Sequence, residues 1–127
     1  MQTIISDKIV FCDVDDTLVM WNDNESFQSI DKQSIAIICP FQTKHDPLGE
    51  PKVYYLRPNY WTIGKLKELK AKGYTVVVWS AASYLWAEAV VKVLKLEEYV
   101  DFCMSKPDIC IDDLPPNEWI RDLIYPR

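Results

Sequence analysis

The stretch Lys8-Ile9-Val10-Phe11-Cys12-Asp13-Val14-Asp15-Asp16-Thr17 constrains this chain more than any other: an apolar run leads straight into three carboxylates and a hydroxyl. The run reads as a strand buried on both faces, as in the middle of a parallel sheet. A carboxylate at the end of such a strand stands at the sheet's C-terminal edge, where open α/β folds bind ligands. Crowding Asp13, Asp15 and Asp16 together costs repulsion unless a cation or a shared proton relieves it.

The rest of the chain supplies partners for that strand. Tyr74-Thr75-Val76-Val77-Val78-Trp79-Ser80 reads as a second buried strand, residues 100–104 as a third and Ile109-Cys110-Ile111 as a fourth. A helix is expected between Pro58-Asn59 and Gly73, burying Trp61, Ile63, Leu66 and Leu69 and keeping its lysines outside. A second helix is expected over residues 84–95, burying Leu85, Ala89, Val93 and Leu96, and a short one over 117–124 turning Trp119, Leu123 and Ile124 inward. Residues 34–41 and 52–56 look like two strands of a β-hairpin whose tip is the turn-rich stretch 43–51. Strands alternating with helices predict an α/β fold, a Rossmann-like three-layer α/β/α sandwich around a parallel sheet.

At 127 residues the chain is expected to form a single domain, 1–127, with 18–57 as a flap-like insert and no large cap domain. A formal net charge of −5 argues against general attraction to nucleic acid or anionic membrane. No apolar run reaches the length of a membrane span and the start lacks a signal-like segment, so a cytoplasmic location is expected. The four cysteines lack CxxC spacing and the one histidine, His45, is remote from them, so they read as reduced and structural, three of them inside strands as small buried hydrophobes.

Four polar groups share a position. The Asp13–Asp15 cluster, Ser80, Lys106 and Asp112-Asp113 each stand at or just beyond the end of an expected strand, so a parallel sheet would gather them on one edge. In this the chain resembles the haloacid dehalogenase (HAD) superfamily. The resemblance rests on Asp13-Val14-Asp15-Asp16-Thr17, on Val76-Val77-Val78-Trp79-Ser80, on Lys106 and on the acidic pair Asp112-Asp113, in that order. It implies a small Mg²⁺-dependent phosphatase. Asp13 would attack phosphorus and form an aspartyl-phosphate. Asp15 would protonate the leaving oxygen and later deprotonate water. Ser80 and Lys106 would hold the phosphoryl oxygens and balance charge. Mg²⁺ would be held by Asp13, the Asp15 backbone carbonyl, Asp112 and Asp113, the last directly or through water.

General chemistry agrees with this assignment, since phosphoryl transfer is mostly positioning and charge neutralisation. Lys106 precedes Asp112 by only six residues (106 to 112), leaving no room for a helix between them. Without a cap, the expected substrates keep their bulk outside: a nucleotide, a nucleic-acid end, a sugar phosphate or a phosphoprotein. Lys44, His45, Lys52 and Arg57 are read as a solvated hairpin face that could also touch substrate. Trp61, Trp79 and Trp86 are read as core. The alternatives are a phosphotransferase or a catalytically inactive HAD-like binding module. A receiver-type signalling domain is disfavoured, because it carries its acidic pair on the first strand and its accepting Asp on a middle one.

Overall fold

A computed structural model of the protein describes residues 8–21, 34–39 and 52–127. In chain order the elements are β1 (Ile9–Asp13), β2 (Val19–Met20), β3 (Ile35–Cys39), β4 (Lys52–Pro58), α1 (Tyr60–Ala71), β5 (Thr75–Ser80), α2 (Tyr84–Val93) and β6 (Phe102–Ser105), followed by a 3₁₀ turn at Pro116–Glu118. The α/β class, the parallel sheet and the hairpin are as expected, and no cap domain stands among the described residues.

Strands β1, β5 and β6 form a parallel sheet in the order β1-β5-β6. Its register aligns Cys12 with Val78 and Cys103, and Asp13 with Trp79 and Met104. β5 is the central strand because its valine run can be covered on both sides: Val76, Val77 and Val78 are all buried. Both steps through the sheet run the same way, and right-handed crossovers then put α1 and α2 on the same face. The core lies there, with Ile63, Leu66, Trp86, Ala87, Val90 and Val91 packed over Cys12, Val76 and Val78. Among the described residues two of the three expected layers are therefore present. On the other face Phe11, Phe102 and Met104 are exposed. So β1, expected to lie in the middle of the sheet and be buried on both faces, is an edge strand of this sheet with Ile9 and Phe11 exposed; β5 takes the central place instead. A helix there would require the chain to double back across β1, and the short stretch after Lys106 does not provide one.

The insert forms an antiparallel sheet in the order β2-β4-β3. Its two long strands are the expected hairpin, with Ile37 opposite Tyr54; the turn-rich stretch 43–51 lies outside the described residues. β2 was not expected, since two residues carry no periodicity. It exists because the loop after β1 folds tightly back, with Leu18 N–H donating to Val14 O at 2.9 Å and Asp16 N–H to Val19 O at 2.8 Å. Val14, Leu18 and Val19 are fully buried, so the loop that carries the carboxylates is itself anchored in the core.

Helix α1 begins at Asn59, whose Oδ1 accepts from Trp61 N–H and Thr62 N–H. The Asn59 N–H donates to Leu18 O at 2.8 Å, tying the helix start to the carboxylate loop. It stops where Gly73 was expected to stop it: Gly73 takes φ +90°, the left-handed region that glycine enters without a Cβ clash. Helix α2 is capped by the Ser83 hydroxyl oxygen, which accepts from Leu85 N–H. Its buried face is in part a correction: Leu96 just beyond it is fully buried and Ala89 packs against the core as expected, but Trp86, Ala87, Val90 and Val91 point inward, whereas Leu85 and Val93 are exposed. The helix is apolar nearly all round, so spacing alone did not select the side that meets the sheet.

The end of the chain brings two further corrections. The third strand starts later than expected, at Phe102, and the fourth, Ile109-Cys110-Ile111, is not a strand. Ile109 and Ile111 are 82% and 97% exposed. Three apolar residues between Pro107 and Pro115 do not hold a strand without neighbours to bond. The expected 117–124 helix is reduced to the 3₁₀ turn, and Trp119, Leu123 and Ile124 face outward. None of the four cysteines forms a disulfide; Cys12 and Cys39 are buried, Cys103 is half-buried, and Cys110 is exposed because the strand it was expected to join does not form. No helix among the described residues is long and apolar enough to cross a membrane.

Candidate active site

The parallel sheet ends on a single edge, and three of the expected groups stand there. Asp13 closes β1, Ser80 closes β5 one residue beyond the Asp13–Trp79 pair, and Lys106 directly follows β6. The Lys106 N–H donates to Ser80 O at 2.9 Å, which continues the ladder to the strand ends.

Asp13 is held from two sides. Lys106 Nζ lies 3.0 Å from its Oδ1. The Thr17 hydroxyl donates to its Oδ2 at 3.1 Å, because the tight turn from Val14 to Val19 brings Thr17 back over the strand end. Both Asp13 and Lys106 are about one-third exposed, so the carboxylate is reachable from solvent. Lys106 Nζ also sits 6.0 Å from the centre of the Trp79 ring. Directly beneath, the Cys12 thiol is pushed up to about 12, mainly by burial and then by the Asp13 charge, with Lys106 partly opposing. It is a neutral packing group beside the carboxylate.

Asp15 sits in a different environment. Its Oδ1 accepts two indole N–H bonds, from Trp21 Nε1 at 2.8 Å and from Trp86 Nε1 at 3.0 Å. Tyr54 of β4 meets both indoles edge-on, with ring centroids 5.1 and 5.8 Å away. Asp16 is exposed. It adopts φ 59°, a left-handed conformation that Asp tolerates better than most residues, and its Oδ1 accepts from Trp21 N–H. Ser80 is fully buried and its Oγ accepts from Ala82 N–H at 3.1 Å.

Asp112 and Asp113 are not brought to this cluster. They lie on the exposed stretch after β6, where Asp112 Oδ1 accepts from Leu114 N–H. That bond, with further hydrogen bonding from Asp113, holds the Asp112 carboxyl below its usual range. Among the described residues no three His, Cys, Asp or Glu side chains are grouped so as to hold a metal ion. Of the basic flap residues, Arg57 and Lys52 are exposed on β4, and Lys44 and His45 lie outside the described residues.

A family model for NLI interacting factor-like phosphatases matches residues 8–125. The chain belongs to this family, a HAD-like phosphatase family. The resemblance read from the ordered motifs is thus borne out, and the match runs through Asp13, Ser80 and Lys106 to the tail bearing Asp112 and Asp113. No curated protein and no solved structure matches the chain.

Within this phosphatase family member, the pair Trp21 and Trp86 escaped the sequence reading. Trp86 was read as core, which its burial supports, but its indole N–H also reaches Asp15 across the fold. The one available signal was general: a buried Trp needs a partner for its N–H, and carboxylates stood nearby in the motif.

Proposed function

We propose that the protein is a phosphomonoesterase that forms an aspartyl-phosphate on Asp13 and depends on Mg²⁺. The observation that carries this reading is the Asp13–Lys106 pair at the sheet edge, 3.0 Å apart and open to solvent, with Asp15 two residues further on. A carboxylate can attack a phosphate ester only where the accumulating negative charge is balanced, and Lys106 supplies part of that balance. Thr17, on the other carboxylate oxygen, orients Asp13 for in-line attack. Ser80 has its oxygen occupied by Ala82 N–H, which leaves its hydroxyl proton as the donor to a phosphoryl oxygen once the fully buried side chain is uncovered.

The donor set suits Mg²⁺, being hard oxygens only: the Asp13 carboxylate, the Asp15 carbonyl, Asp112 and Asp113 are the residues that would hold it. When bound, it would neutralise charge on the transferring phosphoryl group. Asp112 and Asp113 can take part only if the exposed stretch after Lys106 closes over the sheet edge. Their exposed placement is also the one observation that favours the second reading, a HAD-like binding module without turnover.

In the proposed reaction the Asp13 carboxylate oxygen bonds to phosphorus as the ester P–O bond breaks, and Asp15 protonates the leaving oxygen. Water then attacks the aspartyl-phosphate, Asp15 takes its proton, and phosphate leaves with the Asp13 carboxylate restored. The single domain 1–127, with 18–57 as a flap and no cap, would suit phosphate groups on bulky carriers such as phosphoproteins, nucleic-acid ends or large sugar phosphates. Arg57 and Lys52, exposed on β4, are the basic residues of the insert that would face them.

The test is hydrolysis of p-nitrophenyl phosphate with Mg²⁺ by the unmodified protein and by Asp13→Asn. Turnover lost in the variant and in excess chelator is the expected result. No turnover, together with no beryllofluoride adduct at Asp13, would establish the binding-module reading instead.

A further inference from the structure

We infer that Trp21 and Trp86 are positioning residues that fix which oxygen of Asp15 carries the transferred proton, an inference that rests on the phosphatase reading above. A carboxylate oxygen has two lone pairs. Both on Asp15 Oδ1 are taken by indole N–H donors, at 2.8 Å from Trp21 and 3.0 Å from Trp86. Oδ2 accepts no hydrogen bond among the described residues. When Asp15 is protonated, the proton therefore resides on Oδ2, the one oxygen with a free lone pair. In the first half of the reaction Oδ2–H gives its proton to the leaving oxygen as the P–O bond breaks. In the second half Oδ2 takes a proton from the attacking water. Oδ1 stays bound to the indoles throughout.

The clamp is assembled from three separate elements, which is why it constrains Asp15 as a local turn would not. Trp21 follows β2, Trp86 lies on α2, and Tyr54 of β4 braces both rings edge-on. Trp86 is 3% exposed, so its indole has no freedom to follow a wandering carboxylate. Because Tyr54 belongs to the insert, a shift of that hairpin would be felt at Asp15 through the two rings.

Phenylalanine keeps the packed ring and removes the N–H, so Trp21→Phe and Trp86→Phe test the inference. The readout is kcat/KM for two esters with Mg²⁺: glycerol 3-phosphate, whose alkoxide must be protonated to leave, and 2,4-dinitrophenyl phosphate, whose leaving group needs no proton. Since kcat/KM covers the steps up to leaving-group departure, it isolates proton donation from the later hydrolysis. Each variant should lose about tenfold on the alkyl ester and less than about twofold on the dinitrophenyl ester. An equal loss on both would show that the indoles act only through folding, and would overturn the inference.

A second measurement does not depend on turnover. The indole N–H resonances of Trp21 and Trp86 in ¹⁵N-labelled protein should both move in Asp15→Asn and stay in place in Lys72→Ala, a surface change. Unmoved resonances in Asp15→Asn would sink the clamp itself. Failure of the unmodified protein to hydrolyse either ester would overturn the phosphatase reading and the positioning role with it, while moved indole resonances would still establish the contact.

Discussion

Lys106 reaches Asp13 across an intervening strand: its Nζ lies 3.0 Å from Asp13 Oδ1, although β5 separates the strands that carry the two residues. Two strand spacings amount to roughly 10 Å, a gap that only a long side chain can bridge. The Lys106 stem does so past the Trp79 ring, whose centre is 6.0 Å from the ammonium. The need for a long cation at this position follows from the strand order. It also answers how Lys106 can serve the site although it stands so close in sequence to Asp112.

Lys106→Met should therefore lower kcat/KM by about 10²–10³, the range for loss of one preorganised electrostatic partner. Lys106→Arg should recover part of this, since it keeps the charge but spreads it over a planar fork. Stability should change by less than about 1 kcal/mol, because the pair is a third exposed on both sides. Steady-state kinetics and a urea midpoint on the same variants check both halves; a stable Lys106→Met protein with full activity would remove Lys106 from the mechanism.

Excess chelator should abolish turnover, and Mg²⁺ should restore it. Asp112→Asn should raise the Mg²⁺ concentration needed for half-maximal rate by about tenfold or more, following the weakening expected when a ligand loses its charge. Its folding stability should stay within about 0.5 kcal/mol, since Asp112 is exposed and asparagine keeps the oxygen that accepts from Leu114 N–H. A Mg²⁺ titration of rate decides the matter: an unchanged half-maximal concentration would exclude Asp112 from the metal site.

The parts of this fold that were legible in the sequence are those in which one segment carries its own instruction. β1 and β5 announce themselves as unbroken apolar runs, and α1 by Asn59 at one end and Gly73 at the other. Asp13, Ser80 and Lys106 were legible as a group because each stands at or just beyond a strand end, and parallel strands end together; Asp112-Asp113 does not join them because the strand expected before it does not form. What was illegible depends on partners far away in the chain. Ile109-Cys110-Ile111 is an apolar run like that of a short strand but has no neighbour to bond, and α2 offers apolar residues on every side, so the sheet alone selects Trp86 over Leu85. The indole bonds to Asp15 join residues 21, 86 and 15 through the tertiary fold, and no local pattern encodes them.

Thiol chemistry should divide the cysteines sharply. Cys110 is exposed, whereas Cys12 is buried with its thiol pushed up to about 12, so almost none of it is thiolate at pH 8. A disulfide reagent added to the native protein should modify Cys110 within seconds to minutes and leave Cys12 and buried Cys39 untouched until denaturant is added. Mass spectrometry of the labelled peptides reads this directly, and rapid native labelling of Cys12 would contradict the packing of β1.

At the opposite end of β5 from the site, Asp101 anchors the sheet. Its carboxylate accepts from Lys70 Nζ at 2.7 and 2.8 Å and from Val76 N–H at 2.8 Å, while its own N–H donates to Val76 O. The Lys70 hydrogen bond, then the Val76 N–H, hold this carboxyl below its usual range in the folded protein. A carboxyl whose folded value is depressed binds more protons when unfolded, so its stabilisation is fully present above the unfolded value near ~3.9. It is lost as pH falls from there through the lower folded value. Urea midpoints measured from pH 6 down to pH 3 should therefore fall on the acid side, and Asp101→Asn should make that fall shallower. At neutral pH the substitution should cost about 1 kcal/mol, less than a buried charged hydrogen bond because the Lys70–Asp101 pair is about one-third exposed. Lys70→Met should cost a similar amount, and the double variant should be less destabilised than the two costs added. Additive costs, or an acid limb unchanged in Asp101→Asn, would mean that the bridge between α1 and β5 contributes nothing to the acid sensitivity of the fold.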